Sequence, residues 1–266
     1  MAIQDHLLIV VDPTASHHPV IARAANIARY FKDSPPRVTV LFAADYSNID
    51  DNADNDAFYR DNQWLMEVVA PLADMKLDLY VRLSWCREWA DSILYSANRT
   101  GATSIVLPHP GTENDKRLSD EFWYLVRNTA VPISVIQSVR TPENKAILVA
   151  MDFRDEKLND LNRRMLNYGK VAADAYKGEL HLAHVYQDSM HYPDRAKIVE
   201  RTGIPNENIH LKMGEVGDSL AEVVNEIGAG MVFIGATRRS GIRAALRGRK
   251  INKIMQTIEH DLVVVV

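Results

Sequence analysis

Two aspartates stand at matching places in this chain, in Val10-Val11-Asp12-Pro13 and in Ala150-Met151-Asp152-Phe153, each directly after a short apolar run. A carboxylate leaving a strand in this way either caps the free N–H groups of the following helix or accepts a hydrogen bond from a ligand. The second chemically suggestive stretch is Ile234-Gly-Ala-Thr-Arg-Arg-Ser-Gly-Ile-Arg-Ala-Ala-Leu-Arg-Gly-Arg-Lys-Ile251. It follows an apolar run and leads through Gly248 into helical spacing, the arrangement that offers backbone N–H groups and a helix N-terminus to phosphate. Arg238, Arg239, Arg243, Arg247, Arg249 and Lys250 form a basic run with no acid among them. It reads either as a solvated face or as the seat of a phosphate-bearing ligand, a nucleic-acid end or an acidic partner, because arginine can grip phosphate at two points.

The elements that must position these groups come in two matched series. Runs apolar at consecutive positions, as in strands covered on both faces, predict strands at Leu7 to Val11, Val38 to Ala43, Leu77 to Leu83, Ser104 to Leu107 and Pro132 to Ile136. A second set follows at Ala146 to Met151, Glu179 to Val185, Asn208 to Met213, Met231 to Ile234 and Leu262 to Val266. Between them lie helical stripes, among them Leu158, Leu161, Met165, Tyr168, Ala172 and Ala175, and, behind Ser16 as a cap and Pro19, the stripe Val20, Ala24, Ile27, Ala28 and Phe31. The stretch Gly101-Ala-Thr-Ser-Ile-Val-Leu-Pro108 lies without gaps over Gly228-Ala-Gly-Met-Val-Phe-Ile-Gly235. Together these predict an α/β protein of two tandem doubly wound domains, each with a five-stranded parallel sheet, over residues 1–140 and 141–266.

Composition bounds the function. The chain has 266 residues, a formal charge of −4 and one cysteine, Cys86. An intrachain disulfide and a Cys-pair metal site are thereby excluded, and a general nucleic-acid binder is disfavoured. The apolar runs are far shorter than the roughly 20 residues of a membrane-spanning helix, which points to the cytoplasm. His181 and His184, three apart on a strand, point to opposite faces and share no metal. The segment Asp45 to Asp61, with six aspartates, reads as a solvated loop because it lacks the spacing of a calcium loop. The four tryptophans Trp64, Trp85, Trp89 and Trp123 read as packing residues. No nucleophile elbow, zinc-protease helix or complete Walker loop is present.

The order strand, aspartate, helix, strand, His184-Val185 and the Gly235 loop resembles the universal stress proteins, twice over and across the whole chain. Trp85-Cys-Arg-Glu-Trp89 and Arg239-Ser-Gly-Ile-Arg-Ala-Ala-Leu246 resemble runs of the tandem E-type subgroup. The resemblance implies a Rossmann-like fold of the adenine nucleotide alpha hydrolase type and a non-enzymatic stress-response protein. The family motif after the fourth strand is Gly, two residues, Gly, nine residues, Gly, then Ser or Thr. Here the positions read Gly235, Arg238, Gly248 and Arg249, so two of four match; in the first copy they read Pro108, Gly111, Glu121 and Phe122, and no nucleotide is expected there. Carried over residue by residue, the motif implies ATP or ADP in the second copy. Met151, Asp152 and Val185 would lie near the base, and Gly235, Arg238, Gly248, Arg249 and Lys250 near the phosphates.

The arginine replacements predict weak or absent ATP binding, with Arg238 blocking the pocket or with the arginines supplying charge where a glycine cradle is lost. Two other functions stay open: a hydrolase or transferase acting on a phosphorylated metabolite at Asp152 and 238–250, or a protein-interaction scaffold with vestigial sites. The unbroken Leu262 to Val266 run and Pro132 to Ile136 are expected to pair, so that one chain mimics a dimer, with a further homodimer open.

Overall fold

The structure is a computed structural model and describes residues 5–31, 34–45, 60–109, 118–137, 145–236, 253–258 and 260–266. These fall into two compact units, one up to residue 137 and one from residue 145. The expected boundary at 140 and 141 lies outside the described residues.

In the first unit the chain runs β1 (His6–Val11), α1 (Pro19–Tyr30), β2 (Arg37–Asp45), α2 (Asn62–Ala73), β3 (Leu79–Cys86), α3 (Trp89–Thr100), β4 (Ser104–Pro108), α4 (Asp120–Asn128) and β5 (Ile133–Ile136). The strands are parallel in the order β3-β2-β1-β4-β5. Every residue of β1 is buried, as a strand with a helical layer on each face requires. Leu7, Ile9 and Val11 pack with Val20, Ala24, Val69 and Leu72 of α1 and α2, and α3 contacts β1, β2 and α4.

In the second unit the order of elements repeats: β6 (Ile147–Ala150), α5 (Asn159–Tyr176), β7 (Leu180–Tyr186), α6 (Arg195–Thr202), β8 (Ile209–Met213), α7 (Val216–Ile227), β9 (Met231–Gly235) and β10 (Asp261–Val265). Residues 253–257 are helical. The strands are parallel in the order β8-β7-β6-β9-β10. Leu161 and Met165 of α5 and Ile198 of α6 pack on Val149, Leu182 and Phe233.

The gapless sequence match reappears in the backbone. Gly101 ends α3 with φ 66°, and Gly228 ends α7 with φ 60°. Ala102 N–H donates to Ala97 O at 2.9 Å, and Ala229 N–H donates to Val224 O at 2.9 Å, the same helix-closing bond. Strands β4 and β9 then occupy the same aligned positions.

Four local expectations need correction. The residue before α1 is His18, which makes no side-chain cap bond, so Ser16 is not its cap; Pro19 starts the helix. On α5 the buried residues are Leu161, Asn162, Met165, Leu166, Gly169 and Ala173, while Tyr168 is exposed. Gly169 explains the rotation, because a methyl there would stand 2.5 Å from Val149 Cγ2, and only a bare Cα lets the helix lie so close. Strand β3 starts at Leu79 rather than Leu77 and is largely exposed, since it pairs on one side with β2 and ends the strand order of its unit. Trp85 on it is 57% exposed and is not a packing residue.

The paired glycines give a direct test. Nothing lies within 4 Å of a Cβ built on Gly101, so Gly101→Ala strains only the left-handed backbone. It should cost roughly 1–2 kcal/mol in urea unfolding followed by circular dichroism. Gly228→Ala should cost about as much, and Asn at either place should recover part of the loss. Unchanged midpoints would contradict the shared helix ending.

Candidate functional site

Strand β6 lies between β7, the next strand in sequence, and β9. This is the point where strand order reverses, and a crevice opens beyond the carboxyl ends of such strands. A pocket of about 150 Å³ lies there, at the end of β6 with Ala150, Met151 and Asp152, of β7 with Ala183 and Val185, and of β9 with Ile234 and Gly235. Leu161 and Met165 of α5, Val216 and Leu220 of α7, and Ile254 supply hydrocarbon walls. A methyl at position 235 would stand 2.8 Å from Leu161 Cδ2 and 3.1 Å from the Met165 sulfur. Gly235 therefore serves the close approach of α5 to β9.

The polar lining consists of Asp152, Arg154 and Asn162. Asp152 caps no helix. Its Oδ1 accepts from Arg154 N–H at 3.1 Å and Arg154 Nε at 2.8 Å, and its Oδ2 accepts from Arg154 Nη2 at 2.7 Å. Burial pushes the Asp152 carboxyl up, but the Arg154 hydrogen bonds and charge outweigh it and hold the group below the ordinary aspartate range. Bonding to Asp152 raises Arg154 in turn, against its own burial. Asn162, on the first turn of α5, donates from Nδ2 to the Asp152 carbonyl at 2.8 Å and ties the exit of β6 to that helix.

Beside the pocket, His184 is 1% exposed. Its Nδ1 lies 3.0 Å from Met151 O, which fixes the proton on Nδ1. Burial is the main cause that lowers its pKa, against the pull of the Met151 carbonyl and Asp152, so the ring is neutral at pH 7. Among the described residues its Nε2 is buried with no hydrogen-bond partner, and the Phe153 ring lies 5.6 Å away.

Thus the structure brings Met151, Asp152, Val185 and Gly235 to one pocket, while Arg238, Gly248, Arg249 and Lys250 lie outside the described residues. Sequence reasoning missed Arg154 and Asn162. The first could have been found from its i+2 spacing, since an aspartate readily closes a turn on that N–H. His181 Nδ1 lies 3.2 Å from Nε2 of His210 on β8, whereas His184 turns to the Met151 carbonyl, and the first pairing is one that spacing along one strand could not reveal. Among the described residues no group of three or more His, Cys, Asp or Glu is placed to hold a metal.

The first unit handles the equivalent positions differently. Asp12 caps no helix either: its Oδ1 accepts from Thr14 N–H at 2.8 Å and Thr14 Oγ1 at 2.6 Å. Glu121 Oε1 accepts from Ala90 N–H at 3.0 Å, so a carboxylate of the chain already sits at the N-terminus of α3. Phe122 is completely buried, and Gly111 lies outside the described residues.

Comparison with known proteins agrees with this architecture. The universal stress protein family model matches residues 190–266. Universal stress protein E of Escherichia coli (strain K12) is 20% identical, with 100% of this chain and 95% of the relative covered. The universal stress protein E homolog of Haemophilus influenzae is 20% identical over 71% of this chain and 70% of its own length. Among solved structures, a putative universal stress protein from Pseudomonas aeruginosa superposes with a TM-score of 0.77 at 19% identity, covering 99% of this chain and 93% of the other. One from Archaeoglobus fulgidus gives 0.72 at 16%, covering 98% and 96%. The family model over the last third and relatives of about 20% identity, one of them matched over the full chain, make the chain similar to the universal stress proteins, and the solved structures share its fold.

Proposed function

We propose that the second unit is a binding module of a cytoplasmic stress-response protein, and that it takes a phosphate-bearing small molecule, such as ATP or ADP, weakly and without turning it over. The observation that carries this reading is the convergence of Met151, Asp152, Val185 and Gly235 on one pocket at the point of strand-order reversal. A cavity of about 150 Å³ walled by hydrocarbon suits a flat group the size of a heterocyclic base. Gly235 and Ile254 both line it, and the basic stretch with Arg238, Gly248, Arg249 and Lys250 lies between them in sequence. In this reading those residues meet the phosphates.

Weak binding follows from two chemical facts. Arg238 and Arg249 stand where the family motif has a glycine and a hydroxyl residue, which removes a close backbone cradle and substitutes charge. Charge at a solvated rim is screened by salt. An enzymatic reading would need a base beside the reacting group. Asp152, the acid of the described lining, is held in a two-point ion pair that keeps its pKa low, and His184 is 1% exposed and is not among the residues that line the pocket.

Calorimetric titration of the full chain with ATP, ADP and pyrophosphate tests the reading. Dissociation constants above roughly 10 µM at low salt are expected, equivalent to binding no stronger than about −7 kcal/mol. The affinity should weaken several-fold between about 50 and 300 mM salt as screening tightens, and Arg249→Ala should weaken it further. Tight binding indifferent to salt and to Arg249 would contradict the charge-based site. No binding of any of the three would leave the scaffold reading, and phosphate release on incubation would establish an enzyme.

A further inference from the structure

An acceptor at the end of β6 is the natural anchor for an N–H or O–H group of a ligand, but in this chain that acceptor is already taken. Arg154 meets Asp152 with three N–H groups, at 3.1, 2.8 and 2.7 Å, and Asn162 takes the Asp152 carbonyl at 2.8 Å. The rest of the described lining is hydrocarbon apart from peptide groups. An amino or hydroxyl group entering the pocket would have to open a charge-assisted, two-point pair in a half-buried setting to reach the carboxylate, and otherwise would lose its water without replacement.

Arg154 itself is differently placed. Its Nε and Nη2 face Asp152, and among the described residues Nη1 has no partner. The side chain is 31% exposed and lines the pocket. A planar guanidinium held along one edge by a carboxylate keeps its other edge oriented, with little freedom left to lose on binding.

We propose that Arg154 sets the specificity of this pocket: it withholds Asp152 from hydrogen-bond donors and offers its own free edge to an anion, so that the site prefers an anionic small molecule with a flat apolar body to an uncharged nucleoside. The inference rests on the reading of the pocket as a small-molecule site and specifies the chemistry that site accepts. Phosphate and carboxylate share that chemistry.

The test compares wild type with Arg154→Leu at pH 7 in the full chain, by calorimetric titration with 1-naphthyl phosphate, 1-naphthoate and adenosine. Wild type should bind the tighter of the two anions at least tenfold more strongly than adenosine, and the order of the two anions tells which source of charge the site favours. In Arg154→Leu that anion should lose at least tenfold. Adenosine should gain at least fivefold, because Asp152 becomes free to accept. Arg154→Lys keeps the charge without the fork and should lose anion affinity several-fold, which gives a second reading should the leucine variant melt early. An anion affinity untouched in both variants, or an adenosine affinity that fails to rise in Arg154→Leu, overturns the proposal. If ATP binds as described above while these preferences do not move, only the role of Arg154 fails. If no probe binds either protein, the small-molecule reading fails with it.

Discussion

A parallel strand flanked by helices on both faces leaves no backbone group free along its length, so the chain exposes polar atoms and changes direction only at the strand ends. In the second unit this constraint falls on β6, which pairs with β7 on one side and β9 on the other. Strand order reverses between β6 and β9, and a crevice opens beyond their carboxyl ends. Asp152, Arg154, Asn162 and Gly235 line that crevice. Asp152 is there because it is the second residue past β6, and Gly235 because it ends β9.

The crevice persists because its walls are fixed by close packing. Gly235 and Gly169 let α5 approach β9 and β6 to distances that a methyl group would forbid, and Asn162 ties the same helix to the chain leaving β6. The polar end is fixed by charge, with Arg154 folded onto Asp152. At the matching positions of the first unit, Glu121 occupies the N-terminus of α3, Asp12 turns on Thr14, and Phe122 is sealed in the core. Two copies of one topology thus carry different interiors at matching positions.

Much of this was legible in the sequence. The duplicated strands came from runs of consecutive apolar residues, a signal that parallel sheets produce because both faces are buried. The match of 101–108 over 228–235 located the helix endings because a left-handed helix cap selects glycine. Asp152, Val185 and the turn after Ile234 could be grouped because topology brings the strand ends together, and the family resemblance added Met151 and Gly235. The role of Asp152 was not legible: capping and ligand contact both fit the pattern, and the strength of a pairing with the residue two places on depends on rotamers that no pattern encodes. The exposure of Trp85 and the rotated face of α5 were missed for related reasons. The first depends on β3 ending the strand order of its unit, and the second on a glycine whose effect lies in the partner it approaches.

The central claim, that ligand chemistry is confined to the strand-order reversal of the second unit, is tested most directly by residue. In a ¹H–¹⁵N correlation spectrum of the full chain titrated with ATP, amide shifts should appear at Met151, Asp152, Arg154, Gly235 and Ile254 and be absent at Asp12, Thr14 and Ala90. Shifts centred on the first unit, or scattered over both without a focus at the end of β6, would contradict the account.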